Sequence, residues 1–187
     1  MSYPNTATFT TNDGATGQSS ASVQLCAFRA PLTIGYWGNH VDKTGQSDCT
    51  GLPNGTGCSN NGPWAKAYLP QPLGSGYSVD TVSKTAKVIA ANNCSNASSS
   101  SQNAVGCLAA QLLAAELNVA NVANSCIVGV ADGINDANKF LSGGTVDGVT
   151  GISYTGPTST YTLTTAQRNE ALVLKNKLVN YNQGGGC

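Results

Sequence analysis

Residues 105–121 read VGCLAAQLLAAELNVAN, and this stretch decides the fold class. Its larger apolar residues recur three or four positions apart, which is the spacing of one face of an α-helix. The members of this face are Val105, Leu108, Ala109, Leu112, Leu113 and Leu117. A stripe of this length predicts a helix that packs one face against a protein core.

The same periodicity predicts two helices downstream. In the first, Gly129 and Gly133 lie one turn apart and would let another helix approach closely. Its expected core positions are Ile127, Val130, Ala131, Ile134, Ala137 and Leu141. The second begins at Thr164, has Gln167 at the spacing of a capping box, and stops at Gly184. Its expected buried residues are Ala171, Leu174, Leu178 and Tyr181.

The chain before and between these helices is rich in turns. Residues 31–72 read as loop because Gly, Asn and Pro punctuate them. Later residues alternate Val, Ile, Tyr and Leu with Thr, Ser and Gly, which predicts a second β-hairpin. The expected elements are a short strand at 77–80, a helix capped by Ser83 and running to Ala91, a loop over 92–102 and the hairpin within 143–162.

The N-terminal segment predicts a β-hairpin. Residues 6–11 and 20–25 alternate small or apolar residues with polar ones, and Asn12-Asp13-Gly14 and Gly17 supply turn chemistry. A lone hairpin is marginal in water, so these strands need something to order against. The sequence thus predicts an α+β protein. Residues 1–30 form a β-hairpin arm that can act as a strand donor, and residues 31–187 form a mainly helical, loop-rich, disulfide-stapled domain.

Composition excludes two classes of partner. Charged residues make up 10% of the chain and the formal net charge is zero. Nucleic acid and anionic membrane surfaces recruit proteins through clustered Lys and Arg, so neither is an expected partner. We expect no membrane insertion either, because Ser, Asn or Gly interrupts every apolar block. Low charge also minimises repulsion between copies of the chain.

Seven cysteines favour an oxidising compartment over a metal cluster. No close CxxC pair occurs, and a single histidine does not complete a zinc site. Six cysteines allow fifteen connectivities, among which we favour the local pairs Cys49 with Cys58 and Cys94 with Cys107. Cys187 follows three glycines and is the thiol expected to be left over. The cysteines expected to be mostly disulfide-bonded are Cys26, Cys49, Cys58, Cys94, Cys107 and Cys126.

Several motifs, in order along the chain, carry a family resemblance. The opening is Thr33 to His40, TIGYWGNH, and a turn LPQPLG begins at Leu69. The later members are the Gln111 helix, the Cys126 helix, and the closing Leu174-Lys175-Asn176 with Tyr181-Asn182. Over about residues 32–183 the chain resembles the "GYWKNH" modules at the ends of large secreted or surface-anchored bacterial proteins. Gly38 departs from that pattern, which commonly has Lys there.

The resemblance implies a secreted or cell-surface location and assigns no reaction. The first residues, NTATFTTNDGATGQSSASVQL, look like the closing strands of the immunoglobulin-like repeats that often precede such modules. On this basis, too, we expect the N-terminal arm to be a pair of strands separated from the rest of their sandwich.

His40 and Glu116 are the candidate groups for acid–base chemistry. His40 is the only histidine and could act as a general base. No nucleophile motif accompanies it, so we favour a structural role in which His40 hydrogen-bonds a backbone carbonyl while Tyr36 and Trp37 fill the core. Glu116 lies at the edge of the apolar stripe. It is expected on a half-solvated flank or, if buried, beside His40 or Lys66.

Two further binding sites are weaker candidates. Asp132 and Asp136 lie one helical turn apart, and Asp13 or Asp147 could bind calcium at turns, but no oxygen-rich calcium loop is present. We therefore expect no metal, cofactor or catalytic residue. A stacking platform for polysaccharide is the alternative, and its aromatic candidates are Trp37, Trp64, Tyr68 and Tyr77.

The leading functional expectation is an extracellular structural subunit, not an enzyme, that assembles into a filament or surface layer. Such an arm can add a β-strand to a neighbouring subunit, because an uncovered edge presents a row of backbone donors and acceptors. The alternative is a non-catalytic adhesion module that recognises polysaccharide. The expected assembly residues are Thr6, Ala7, Thr8, Phe9, Thr10 and Thr11.

Overall fold

A computed structural model describes residues 2–24, 31–42, 63–122 and 127–184. The predicted α+β class is confirmed, since an N-terminal hairpin is followed by helices with short strands between them. The strands are β1 Ser2–Thr10, β2 Thr16–Gln24, β3 Gln71–Pro72, β4 Ser78–Val79, β5 Thr145–Val146 and β6 Val149–Thr150. The α-helices are α1 Ile34–Asn39, α2 Val82–Ala90, α3 Ser101–Val122, α4 Ile127–Leu141 and α5 Thr165–Asn182.

Helix α3 is the centre of the helical domain. Residues 104–118 are buried without a break, so the helix is covered on every side and not along one stripe only. Small residues make this possible because they let neighbouring segments approach. A Cβ added to Gly106 would lie 2.6 Å from the carbonyl oxygen of Ala91, at the end of α2. The predicted stripe is thus correct but incomplete.

The apolar character of α3 is explained by this position. The stretch Ser101–Asn121 is long and apolar enough to cross a membrane by length and composition, with a mean hydropathy of 1.2. It is an exception to the expectation that polar residues interrupt every apolar block. Of its most apolar window, 83% is buried inside the protein, so the domain core accounts for the apolar composition.

Helix α2 begins earlier than predicted. The hydroxyl of Thr81 accepts the backbone N–H of Lys84 at 3.2 Å, so Thr81 and not Ser83 is the N-cap. After α2 the predicted loop contains a 3₁₀ helix, Cys94–Ser99. A disulfide joins Cys94 to Cys107 across a separation of 13 residues and ties this segment to α3. This predicted pair is confirmed; Cys26, Cys49, Cys58, Cys126 and Cys187 lie outside the described residues.

Helix α5 has the predicted boundaries. Thr164 and Gln167 form both hydrogen bonds of the capping box, and Gly184, at φ 82°, follows the last turn. All four predicted core residues of this helix are buried. On α4, Val130, Ala137 and Leu141 are buried as predicted. Gly133 is buried next to Lys177 and Leu178 of α5. A Cβ added to Gly133 would lie 3.8 Å and 3.9 Å from these side chains, which is ordinary van der Waals contact.

The second hairpin is present but shorter than predicted. Its turn is Asp147-Gly148, with φ values of 49° and 80°, the positive pair that a two-residue type I′ turn requires. The strands stop after two residues because the chain then binds the end of α4. The N–H groups of Ile152 and Tyr154 donate to the carbonyls of Phe140 and Leu141, both at 2.8 Å, and satisfy two C-terminal acceptors of that helix.

The N-terminal hairpin is longer than predicted, and its turn is tighter. Nine residues of β1 pair with nine of β2 in antiparallel register. The turn is Thr11 to Ala15, closed by the Thr11 N–H on the Ala15 carbonyl at 2.8 Å, with Gly14 at φ 86°. Gly17, assigned by the sequence to the turn, lies inside β2 opposite Phe9. A side chain at Gly17 would collide with the Phe9 ring, which covers it.

Loss of the Cys94–Cys107 disulfide should lower the free energy of unfolding by about 2–4 kcal/mol, because the bond closes a short loop in the unfolded chain. Urea unfolding of Cys94→Ala and of C94A/C107A measures this. Since Cys107 is fully buried, the single variant, which keeps the buried sulfur, separates loss of the bond from loss of core volume. Wild-type stability in the single variant would contradict the prediction.

Candidate functional site

Three of the motif-bearing segments, the aromatic opening, the Gln111 helix and the closing Tyr181-Asn182, meet at Asn118, a fully buried residue of α3. Its Oδ1 accepts the Leu32 N–H at 2.8 Å and the indole N–H of Trp37 at 3.1 Å. Its Nδ2 donates to the Leu32 carbonyl at 2.8 Å and to Oδ1 of Asn182 at 2.9 Å. Both donors and both acceptor positions of this amide are therefore used.

The hydrogen bonds continue from Asn118 through α5 back to α3. Nδ2 of Asn182 donates to the backbone carbonyl of Gln111 at 3.0 Å and to its side-chain oxygen at 2.9 Å. Nε2 of Gln111 in turn lies 3.8 Å from Sγ of Cys94. We call Gln111, Asn118 and Asn182 the amide network. None of the three side chains titrates or acts as a nucleophile, so what the network does is hold the start, middle and end of the domain together.

His40 lies at the C-terminal end of α1, in an aromatic stack. Its ring is parallel to that of Tyr36 with centroids 3.9 Å apart, and the Trp64 ring lies 4.9 Å away on a tilt. Nδ1 is 2.9 Å from the Tyr36 carbonyl oxygen, the backbone hydrogen bond that a structural histidine makes. In the described part of the chain no carboxylate or hydroxyl group hydrogen-bonds this ring, so the geometry assembles no acid–base pair there.

Glu116 is buried and does not lie on a half-solvated flank. Its partner is Asn138 on α4, whose Nδ2 donates to Oε1 at 2.7 Å. The expected partners are wrong, since His40 stacks on Tyr36 and Lys66 pairs with Asp42 at 3.5 Å. Burial raises the pKa of Glu116 to about 8, against a smaller lowering by Asn138. The carboxyl is therefore mainly protonated at neutral pH.

Asn138 connects Glu116 to the turn that begins at Leu69. Its Oδ1 accepts the backbone N–H of Gly74 at 2.7 Å. Gly74 has φ 69°, and a Cβ there would lie 2.5 Å from the Leu141 carbonyl oxygen, so only glycine fits. Among the described residues Oε2 of Glu116 has no hydrogen-bond partner. The site is a buried neutral carboxyl that positions a turn.

The acidic candidates for calcium do not gather. Asp136 faces Lys177 at 3.8 Å, and the Asp13 carboxylate accepts the Thr11 hydroxyl within the hairpin turn. The carboxylate of Asp147 acts on Glu170, whose pKa is raised first by burial and next by the charge of Asp147. Within residues 2–24, 31–42, 63–122 and 127–184, no group of three His, Cys, Asp or Glu side chains is close enough to hold a metal ion.

The aromatic residues expected to form a sugar platform are largely internal. Trp37 is 0% exposed and Trp64 is 7% exposed, so neither offers a face for stacking. Tyr68 donates its hydroxyl to Asn121 at 2.8 Å, and Tyr77 packs edge-on against Tyr154. The prediction of an exposed platform is thus wrong for both tryptophans.

Sequence reasoning missed Asn118, Asn138 and Asn182 as structural centres. The available signal was asparagine within apolar helix segments, where it is a poor helix former and must find partners if buried. Asn118 follows Leu117 inside the run that predicts α3, and Asn182 lies in the closing motif. The contacts that these asparagines make across the domain could not be predicted from their spacing in the sequence.

Comparison of the chain with protein-family models, with curated proteins and with solved structures finds no match.

Asn118→Ala should lower the free energy of unfolding by about 3 kcal/mol, because it leaves buried backbone and indole groups without partners. Asn176→Ala is the matched control, since Asn176 is exposed on α5. We expect the control to stay within about 0.5 kcal/mol of wild type. Equal stability of the two variants in urea unfolding would show that the amide network does not stabilise the fold.

The stability of the wild type should fall as pH rises, and Glu116→Gln should abolish this fall. The folded pKa of about 8 lies above the ordinary value of 4.5, so between these values the unfolded chain releases a proton that the folded chain keeps. Stability contributed by the protonated carboxyl is complete below pH 4.5 and falls as pH rises towards 8. From pH 5 to 7 the wild type should lose up to about 3 kcal/mol relative to Glu116→Gln.

Urea unfolding at several pH values measures this difference. Asp132→Asn, an exposed position on α4, controls for the replacement of a carboxyl by an amide. Parallel curves for the wild type and Glu116→Gln would contradict the raised pKa.

Proposed function

We propose that the protein is an extracellular, non-catalytic structural subunit that self-associates by β-strand addition through its N-terminal hairpin. The observation that carries the proposal is that, among the described residues, the outer edges of this hairpin are open. It is a two-stranded sheet, and in the described part of the chain neither outer edge pairs with a further strand. Open edges of this length are a template for another strand.

The hairpin and the helical domain are built differently. The described core of the domain runs from Trp37 to Tyr181, and the described hairpin side chains, from Thr8 to Gln18, are almost all exposed. Phe9 is 60% exposed, a high value for a large apolar residue. Among described elements, the strands contact each other extensively and no helix contacts either to a similar extent. This exposure supports a role for the arm in contacting a partner.

Compartment and charge agree with this function. The Cys94–Cys107 disulfide indicates a non-reducing environment. The net charge of zero gives little repulsion between copies at neutral pH. The resemblance to bacterial surface modules supports secretion to a cell surface. Residues Thr6 to Thr10 lie in β1, one of the two edge strands of the hairpin, whereas Thr11 is the first residue of the turn.

The full chain should form species larger than its 19.0 kDa monomer in a concentration-dependent way. Deletion of residues 1–24 should leave a folded helical domain that stays monomeric, because the core lies outside the arm. Sedimentation velocity with circular dichroism on both chains tests this, and electron microscopy shows whether the larger species are filaments or layers. A full chain that remains monomeric at millimolar concentration would refute self-association.

Two further outcomes identify where such a proposal fails. A truncated chain that forms the same oligomer would exclude the arm as the joint. A truncated chain that does not fold would assign the hairpin to the domain's own stability.

A further inference from the structure

We propose that the joint is the outer edge of β2 and that its occupant is β2 of a second copy, antiparallel about a two-fold axis. The inference rests on the proposed self-association and names the surface that performs it. It moves the joint from the β1 residues that the sequence favours to the other strand of the same hairpin.

The hydrogen-bond pattern decides which residues face outward. In an antiparallel pair, directly opposed residues alternate between bonding each other and pointing their backbone groups away. Thr11 bonds Ala15 at the turn. Because bonded and non-bonded pairs alternate from there, the odd-numbered residues of the two strands bond each other within the hairpin, and the even-numbered residues point their backbone groups outward. The outward-facing positions are Ser2, Pro4, Thr6, Thr8 and Thr10 on β1, and Thr16, Gln18, Ser20, Ser22 and Gln24 on β2.

The two outer edges differ by one residue. Pro4 has no N–H group, so the β1 edge lacks a donor at one of its outward positions. Proline on an edge strand is a device by which proteins prevent further pairing. The β2 edge has no proline and presents a donor and an acceptor at every outward position. Only β2 can therefore form an uninterrupted ladder with a new strand.

A second copy fits this edge by charge and by register. Neither strand contains a charged residue, so two copies of β2 meet without like-charge repulsion. A two-fold axis at Ser20 pairs Thr16 with Gln24 and Gln18 with Ser22, and Ser20 with itself. Each pair joins two outward-facing positions. The product is a four-stranded sheet with the Pro4-containing strands at its outer edges, where growth by the same contact stops.

Ser20→Pro tests the joint, and Thr6→Pro is its matched control. The two residues oppose each other in the hairpin ladder, and both point their N–H groups outward, so neither substitution removes a bond between β1 and β2. Because Ser20 pairs with itself across the axis, one substitution deletes two hydrogen bonds of the joint. We expect self-association, measured by sedimentation, to weaken by about tenfold or more in Ser20→Pro. Thr6→Pro should associate as the wild type does.

Hydrogen exchange of the wild-type chain provides a second measurement that needs no substitution. As concentration rises, the amides of Gln18, Ser20 and Ser22 should exchange more slowly, whereas those of Thr6 and Thr8 should not change. Protection confined to β1 would overturn the inference.

Each other outcome contradicts a specific step. Loss of association in Thr6→Pro alone places the joint on β1, and loss in both variants indicates that β1 of one copy adds to β2 of another. Either result contradicts the two-fold β2 joint but leaves β-strand addition as the mode of association. If neither variant differs from an associating wild type, no hairpin edge is the joint. A wild type that never associates refutes the proposed function itself.

Discussion

The helical domain depends on the two hydrogen bonds between the Asn118 side chain and the backbone of Leu32. The amide bonds both the N–H and the carbonyl of Leu32, as a neighbouring strand would. This fixes the chain just before α1 and places the Trp37 indole against the same oxygen. Because the remaining donor reaches Asn182, the last turn of α5 is tied to the same point. A buried network of this kind stabilises one arrangement only, since any other leaves several polar groups without partners.

The second buried polar site, at Glu116, behaves differently because its carboxyl can ionise, whereas the Asn118 amide cannot. Asn118 has as many partners as it has donors and acceptors, and it carries no charge to desolvate. Glu116 has one bonded oxygen, and its other oxygen has no partner among the described residues. Ionisation would leave a charge in an apolar interior, so burial favours the proton. The amide network should therefore hold the fold at any pH, whereas the contribution of Glu116 varies with pH.

Local sequence signals predicted the elements well and the site poorly. The period of Leu108, Leu112 and Leu117 predicts α3, and the Thr164–Gln167 pair predicts the start of α5, because both signals act within one element. Burial of α3 on all sides was not predicted, since it depends on where α2, α4 and α5 pack. The same limit explains Glu116: its neighbour Asn138 is 22 residues away, and nothing in the sequence relates them. The Cys94–Cys107 pair was predictable because the loop it closes is short.

In the proposed assembly, the hairpin and the helical domain specify their contacts by opposite means. The domain uses buried side-chain amides that exclude other arrangements, whereas the arm exposes backbone groups, which any strand of matching alternation can bond. Selectivity in the arm must then come from what blocks an edge, and Pro4 blocks one of two. An edge that pairs with its own copy closes after two subunits, because a two-fold contact uses the same surface on both. A filament or layer would therefore require a second, different contact, and the strand joint would set the dimer from which it grows.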